Sequence, residues 1–128
     1  GGIRTTYSSL VTEMVSHGLA VACLEHRDGT AGLTRDGMGR SVTYQQPTPN
    51  NEFNFRNAQL MLRTKEMAAV LEYLRKGTCR RVISGDGETL INAALPVYAV
   101  GHSMGAATAI YFAETEENIA SVCALDPW

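Results

Sequence analysis

The chain has 128 residues, 45% of them apolar and 19% charged, with a formal net charge of −2. That length supports one packed core rather than two ordinary domains, so residues 1–128 read as a single globular unit. No basic stripe suggests nucleic acid, and no apolar run reaches the roughly 20 residues of a membrane span.

From the N-terminus, TYSSLVTEMVSHG spaces Leu10, Val11, Met14 and Val15 as one short amphipathic helix, with Ser8 or Ser9 as N-cap and Gly18 as a left-handed C-cap. LAVACLEH follows as a continuous apolar run, the pattern of a parallel strand covered on both faces. Asp28 to Asn54 holds glycines, Pro47, Pro49 and many small polar residues without a sustained period, and is expected to be a long surface loop. RNAQLMLRTKEMAAVLEYLRKG is the longest helix, with apolar Leu60, Met67, Val70, Leu71 and Leu74 and a basic end before Gly77. The stretch from Thr78 to Leu95 is ambiguous apart from a turn at Gly85-Asp86-Gly87. PVYAVG is a second strand, AATAIYFAETEE a helix, and ASVCALD a third strand ending in a carboxylate. The alternation predicts an α/β fold in which helices cover both faces of a parallel sheet. Cys23, Cys79 and Cys123 are odd in number and lack Cys-x-x-Cys spacing, and two lie in apolar runs. They read as buried thiols without a metal or disulfide role.

AVGHSMGAATA places Gly101-His102-Ser103-Met104-Gly105 between a strand and a helix, the context that gives a Gly-x-Ser-x-Gly string its meaning. The chain must reverse within about four residues there, and Cβ atoms at 101 and 105 are both expected to collide with backbone. Ser103 would stand exposed at the sheet edge, with the Met104 N–H as an oxyanion donor. The competing reading is a Gly-rich turn that packs tightly or binds phosphate, without a Gly-x-Gly-x-x-Gly or Gly-Lys-Ser/Thr string to support it.

A serine hydroxyl needs a base, and three histidines exist. His102 lies within the elbow and reads as a packing or rim residue. His17 lies at a helix C-terminus, where it complements the dipole. His26, among Glu25, Arg27 and Asp28, reads as part of a salt-bridged loop anchor, because hydrolases with this elbow order their triad as Ser, acid, His. Asp126 ends the strand after the serine's helix, on the same edge as Ser103 if the strands are parallel. Its local alternative is an Asp-Pro turn that stops the strand. Only Pro127 and Trp128 follow, so the base is expected beyond this chain. The opening Gly1-Gly2-Ile3 carries no targeting segment, and the chain reads as a fragment whose compartment is undetermined.

Taken together, RTTYSSLVTEMVSHGLAVACLEHRDG, VGHSMGAATAI and ALDPW resemble the plasma and intracellular type II group of platelet-activating factor acetylhydrolases. The resemblance implies an α/β-hydrolase fold, of which this chain is part, and hydrolysis of short or oxidised sn-2 acyl esters of phospholipids. It assigns the nucleophile to Ser103, the triad acid to Asp126 and one oxyanion donor to Met104. A second donor would come from a His-Gly-x-Gly-like loop ending at Gly1 and Gly2, and the base from a downstream histidine that no position here matches. No metal or cofactor is implied, and the partners are phospholipid and a lipid or lipoprotein surface. Met104 and Ala106 replace the family's usual Phe and Gly, which leaves the backbone donor but changes the pocket. Met after the serine also occurs in cutinase-like and lipase-like esterases. The alternatives are therefore another esterase of this fold, or a non-catalytic relative that keeps only the elbow.

Overall fold

A computed structural model describes residues 4–76 and 94–128. The elements are helix α1 (Ser8–Ser16), strands β1 (Leu33–Arg35) and β2 (Ser41–Thr43), helix α2 (Glu52–Arg75), strand β3 (Val97–His102), helix α3 (Met104–Thr115) and strand β4 (Ile119–Leu125). They fall into two compact units, 1–59 and 60–128, with α2 beginning in the first and ending in the second. Cys79 and the turn expected at Gly85-Asp86-Gly87 lie outside the described residues.

In the first unit, α1 closes as its sequence predicts. Gly18 has φ 84°, and two reverse bonds, Gly18 N–H to Val15 O at 2.9 Å and Leu19 N–H to Met14 O at 3.3 Å, complete a Schellman motif. The N-terminus differs from expectation. Tyr7 occupies the cap position without a side-chain capping bond, and Ser8 is the first helical residue, its hydroxyl donating back to Thr5 O at 2.6 Å. Residues 19–26 form no strand among the described residues, and Cys23 is exposed. A run with strand composition becomes a strand only when a neighbour supplies its ladder, and no described residue pairs with this one.

The expected loop holds more order than its composition announced. The Asp28 carboxylate accepts from the Thr30 amide at 3.1 Å and the Thr30 hydroxyl at 2.6 Å, and all three of Asp28, Thr30 and Ala31 are buried. The Asp28 carbonyl accepts from Gln59 Nε2 at 2.8 Å, and the Gly29 carbonyl from the Gln45 amide at 2.8 Å. Beyond this anchor β1 and β2 pair antiparallel, Leu33 opposite Thr43 and Arg35 opposite Ser41. Asp36 organises their turn: it accepts from the Met38 and Arg40 amides, both at 2.9 Å, and from Arg40 Nε at 2.7 Å. Arg40's side chain, then its amide and that of Met38, hold the Asp36 carboxyl below its ordinary 3.8. Because the folded value is the lower one, the turn keeps this contribution above the unfolded value and loses it as pH falls through the folded one. Residue 52 also begins α2 earlier than expected, with Glu52 complementing the positive end of the helix.

In the second unit β3 and β4 run parallel, pairing Ala99 with Val122, Gly101 with Ala124 and His102 with Leu125. Leu71 of α2, Ala99 of β3, and Ala109 and Phe112 of α3 are buried together, with Met67, Val97, Ile119 and Val122 packed around them. Both helices contribute to this one cluster, while Tyr98 and Val100 remain 54% and 41% exposed and Cys123 is also exposed. Two expectations are thereby corrected. Among the described residues the helices of this unit pack on one face of the sheet, and Cys23 and Cys123 are not buried thiols. Alternate residues of a strand point to opposite faces, so a run that is apolar throughout exposes half of itself unless both faces are covered.

Phe112 is 3% exposed, so Phe112→Ala is expected to cost about 3–5 kcal/mol in urea unfolding of the complete protein, whereas Met38→Ala at the open hairpin changes stability by no more than about 0.5 kcal/mol. Arg40→Ala is expected to raise the Asp36 titration midpoint toward 3.8, read by NMR.

Candidate active site

Strand β3 ends at His102, Ser103 turns the chain, and α3 starts at the next residue. Ser103 has φ 55° and ψ −126°, a sparsely populated region for a residue with a Cβ. Such a conformation costs of order 1–3 kcal/mol and persists only where its surroundings enforce it. Here the enforcing contact is at Gly101: a Cβ on that residue would stand 2.1 Å from the Gly105 carbonyl oxygen and 2.6 Å from the Ala106 nitrogen. The parallel expectation for Gly105 is corrected, since a Cβ there would meet nothing within 4 Å among the described residues. Residue 105 sits on the first turn of α3, with its side-chain direction leading away from β3's backbone. Ala106, Thr108 and Ala109 are buried to 1% exposure or less, so small side chains let α3 press against the sheet.

The Ser103 hydroxyl makes no capping bond to α3. Helix geometry leaves the Met104 and Gly105 amides without intrahelical acceptors, and the positive end of the α3 dipole lies at the same place. The Ser103 amide donates to Leu125 O at 3.0 Å, carrying the parallel ladder one step past the last paired residues. Asp126 is therefore the residue that follows the bonded carbonyl, and it leaves β4 with φ 45°. Ser103 and Asp126 thus occupy the same carboxyl edge of adjacent parallel strands. Trp128, the last residue of the ALDPW block, donates its amide to Ser103 O at 3.3 Å. Nothing in its side chain could have signalled a bond made by its backbone.

No histidine is placed as the partner of Ser103 by any described bond. His17 caps the end of α1 and pairs with Glu13, Nε2 to Oε1 at 3.1 Å, in the other unit. Around His26, where a salt-bridged anchor is expected, Glu25 pairs with Arg4 and the Asp28 carboxylate accepts from Thr30. His102 is the exposed last residue of β3. Gly1 and Gly2 fall outside the described residues. Among the described residues no three His, Cys, Asp or Glu side chains gather as a metal site. An open groove between α2 and Glu116 holds none of these residues, and four of its five charged side chains are paired, Arg75 with Glu116 at 3.1 Å and Lys76 with Glu72.

A strained serine at a strand-to-helix reversal, unspent amides beside it and a carboxylate on the neighbouring strand form a pattern that can be compared with known families. The model of the family described as platelet-activating factor acetylhydrolase, isoform II, matches residues 1–128. The chain belongs to this acetylhydrolase family. Relatives named platelet-activating factor acetylhydrolase are 30% identical in Canis lupus familiaris, 31% in Bos taurus and 29% in Cavia porcellus, each aligned with 100% of this chain. The chain spans 33% of the length of each.

Gly101→Ala in the complete protein is expected to lower stability by at least about 3 kcal/mol or to abolish soluble expression, while Gly105→Ala costs no more than about 1 kcal/mol. Parallel urea titrations of the two variants check the difference.

Proposed function

We propose that this chain is part of an α/β-hydrolase catalytic domain, spanning residues 1–128, that cleaves the sn-2 acetyl or another short or oxidised acyl ester of a phospholipid. The observation that carries this reading is the enforced conformation of Ser103 beside Asp126, in a chain of the acetylhydrolase family. Ser103 Oγ attacks the ester carbonyl and gives its proton to a histidine, which then protonates the leaving alcohol. Asp126 holds that histidine in the correct tautomer and stabilises its charged form. The base is supplied from outside this chain, as the resemblance implies. The Met104 N–H, one of the unspent amides at the start of α3, stabilises the oxyanion, aided by the dipole of a twelve-residue helix. Water activated by the same histidine releases the acyl group and restores the serine. No step calls for a metal or cofactor, and the substrate is presented by a lipid or lipoprotein surface.

Met104, in place of the family's usual phenylalanine, favours a second reading in which the complete protein prefers other lipid esters while keeping the same mechanism. Comparing hydrolysis of sn-2 acetyl, oxidised and long-chain phospholipids separates the two.

A serine-directed fluorophosphonate is expected to label the complete protein, and the label to vanish in Ser103→Ala. Asp126→Asn is expected to lower kcat on an sn-2 acetyl phospholipid by about 10⁴-fold, by analogy with the loss of the acid in other Ser-His-Asp triads. Full labelling of Ser103→Ala, or undiminished turnover in Asp126→Asn, would remove these residues from the mechanism.

A further inference from the structure

The peptide joining Ser103 to Met104 carries two consequential atoms on opposite edges, the Ser103 carbonyl oxygen and the Met104 amide hydrogen. A trans peptide is planar and holds these groups antiparallel, so whatever fixes the direction of one fixes the other. The Ser103 oxygen accepts from three amides: Ala106 at 2.9 Å, Ala107 at 3.3 Å and Trp128 at 3.3 Å. The first two belong to α3 and move with it. The third belongs to the segment leaving β4, and among the described residues is the one main-chain donor to this carbonyl that is independent of the helix.

That segment grips Ser103 at both ends. Leu125 O accepts the Ser103 amide at 3.0 Å, and the Trp128 amide returns to the Ser103 carbonyl, enclosing Asp126 and Pro127 between the two bonds. Pro127 has no N–H and a φ fixed near −65°, so Trp128 is the first donor after Asp126 that can reach back. The indole itself is 65% exposed.

Resting on the serine-hydrolase reading above, we infer that the main-chain N–H of Trp128 is a positioning group for the oxyanion donor. It holds the Ser103 carbonyl and, through the shared peptide plane, aims the Met104 N–H at the oxygen on which charge develops. The effect falls on the transition state and not on substrate binding, because the ester oxygen becomes a strong acceptor only as the tetrahedral intermediate forms. One short stretch of chain thus places the Asp126 carboxylate and also sets the angle of the donor across from it.

The test exchanges Trp128 for its α-hydroxy acid by nonsense suppression in the complete protein, which replaces the N–H by an ester oxygen and keeps the indole. Trp128→Phe keeps the amide and changes the ring, and Pro127→Ala loosens the segment while keeping every donor. Active sites are titrated with a fluorophosphonate, so loss of folded protein lowers the titre alone. The readouts are kcat and KM for a short-chain sn-2 ester, and Ki for a trifluoromethyl ketone whose hemiketal oxygen takes the oxyanion position. The amide-to-ester change is expected to lower kcat and raise Ki by about tenfold with KM held within about twofold, and Pro127→Ala to raise Ki by about threefold. Trp128→Phe leaves Ki at the wild-type value. An unchanged Ki in both the ester variant and Pro127→Ala overturns the inference, as does an equal rise in Trp128→Phe. Wild-type protein that takes no label at Ser103 overturns the hydrolase reading itself, whereas labelled wild type with unchanged Ki in the variants overturns the positioning role alone.

Discussion

The contact on which the site depends is the approach of residue 101 to the start of α3. With 2.1 Å between a notional Cβ and the Gly105 carbonyl oxygen, only glycine lets the helix begin this close to the strand that precedes it. Everything else at the turn follows from that proximity. Ser103 must reverse the chain alone, which forces φ to 55°, and the helix then starts on its far side with no intervening loop. The strain is offset by bonds that all pass through the serine's own main chain: its amide to β4, and its carbonyl to α3 and to Trp128. Behind them the small, fully buried Ala106 and Ala109 let α3 settle against the strands, where Phe112 and Leu71 supply the apolar area.

The segment β3–α3–β4 was legible because each of its signals agrees with the next. An apolar run stops at a glycine, a small-residue helix follows, and a second apolar run returns parallel to the first, as a strand–helix–strand crossover requires. Where agreement of that kind was missing, composition misled. Residues 19–26 have the alphabet of a buried strand, yet burial and pairing have to be supplied by other segments; the run forms no strand among the described residues and Cys23 stays exposed. The hairpin of β1 and β2 was hidden for the opposite reason: three-residue strands are too short for a period, and the information sits in Asp36, whose carboxylate gathers two amides and a guanidinium. An Asp-Gly-x-Gly turn was the available signal.

Within the site, side-chain identities were readable and backbone relations were not. The pattern Gly-x-Ser-x-Gly treats its two glycines alike, but one is demanded by a backbone collision and the other stands in open space among the described residues. Which is which depends on how tightly the helix folds back on its strand, a tertiary quantity. Asp126 could be placed on the edge beside Ser103 once the strands were taken as parallel, because parallel neighbours end on the same side. The return of Trp128 to the same carbonyl could not, since a main-chain amide has no residue type.

A serine before a helix ordinarily serves as its cap, accepting a bond from the second or third amide and contributing about 1 kcal/mol to the helix. Ser103 stands in the capping position of α3 and makes no such bond. With this backbone the helix forgoes its side-chain cap: the Ser103 hydroxyl makes no capping bond, the third amide, that of Ala106, turns to the Ser103 carbonyl instead, and the Met104 and Gly105 amides keep no intrahelical acceptor. The unfavourable backbone conformation and the missing cap are thus one structural choice with two costs, together of order 2–4 kcal/mol. A turn selected for stability alone would favour a capping conformation over this one. What the arrangement retains is a hydroxyl not used as a cap next to two amides without intrahelical acceptors, the materials of the chemistry proposed above, in which an oxygen attacks and a second oxygen gathers charge. The strain at Ser103 thereby connects the packing at Gly101 to the reaction proposed for the site.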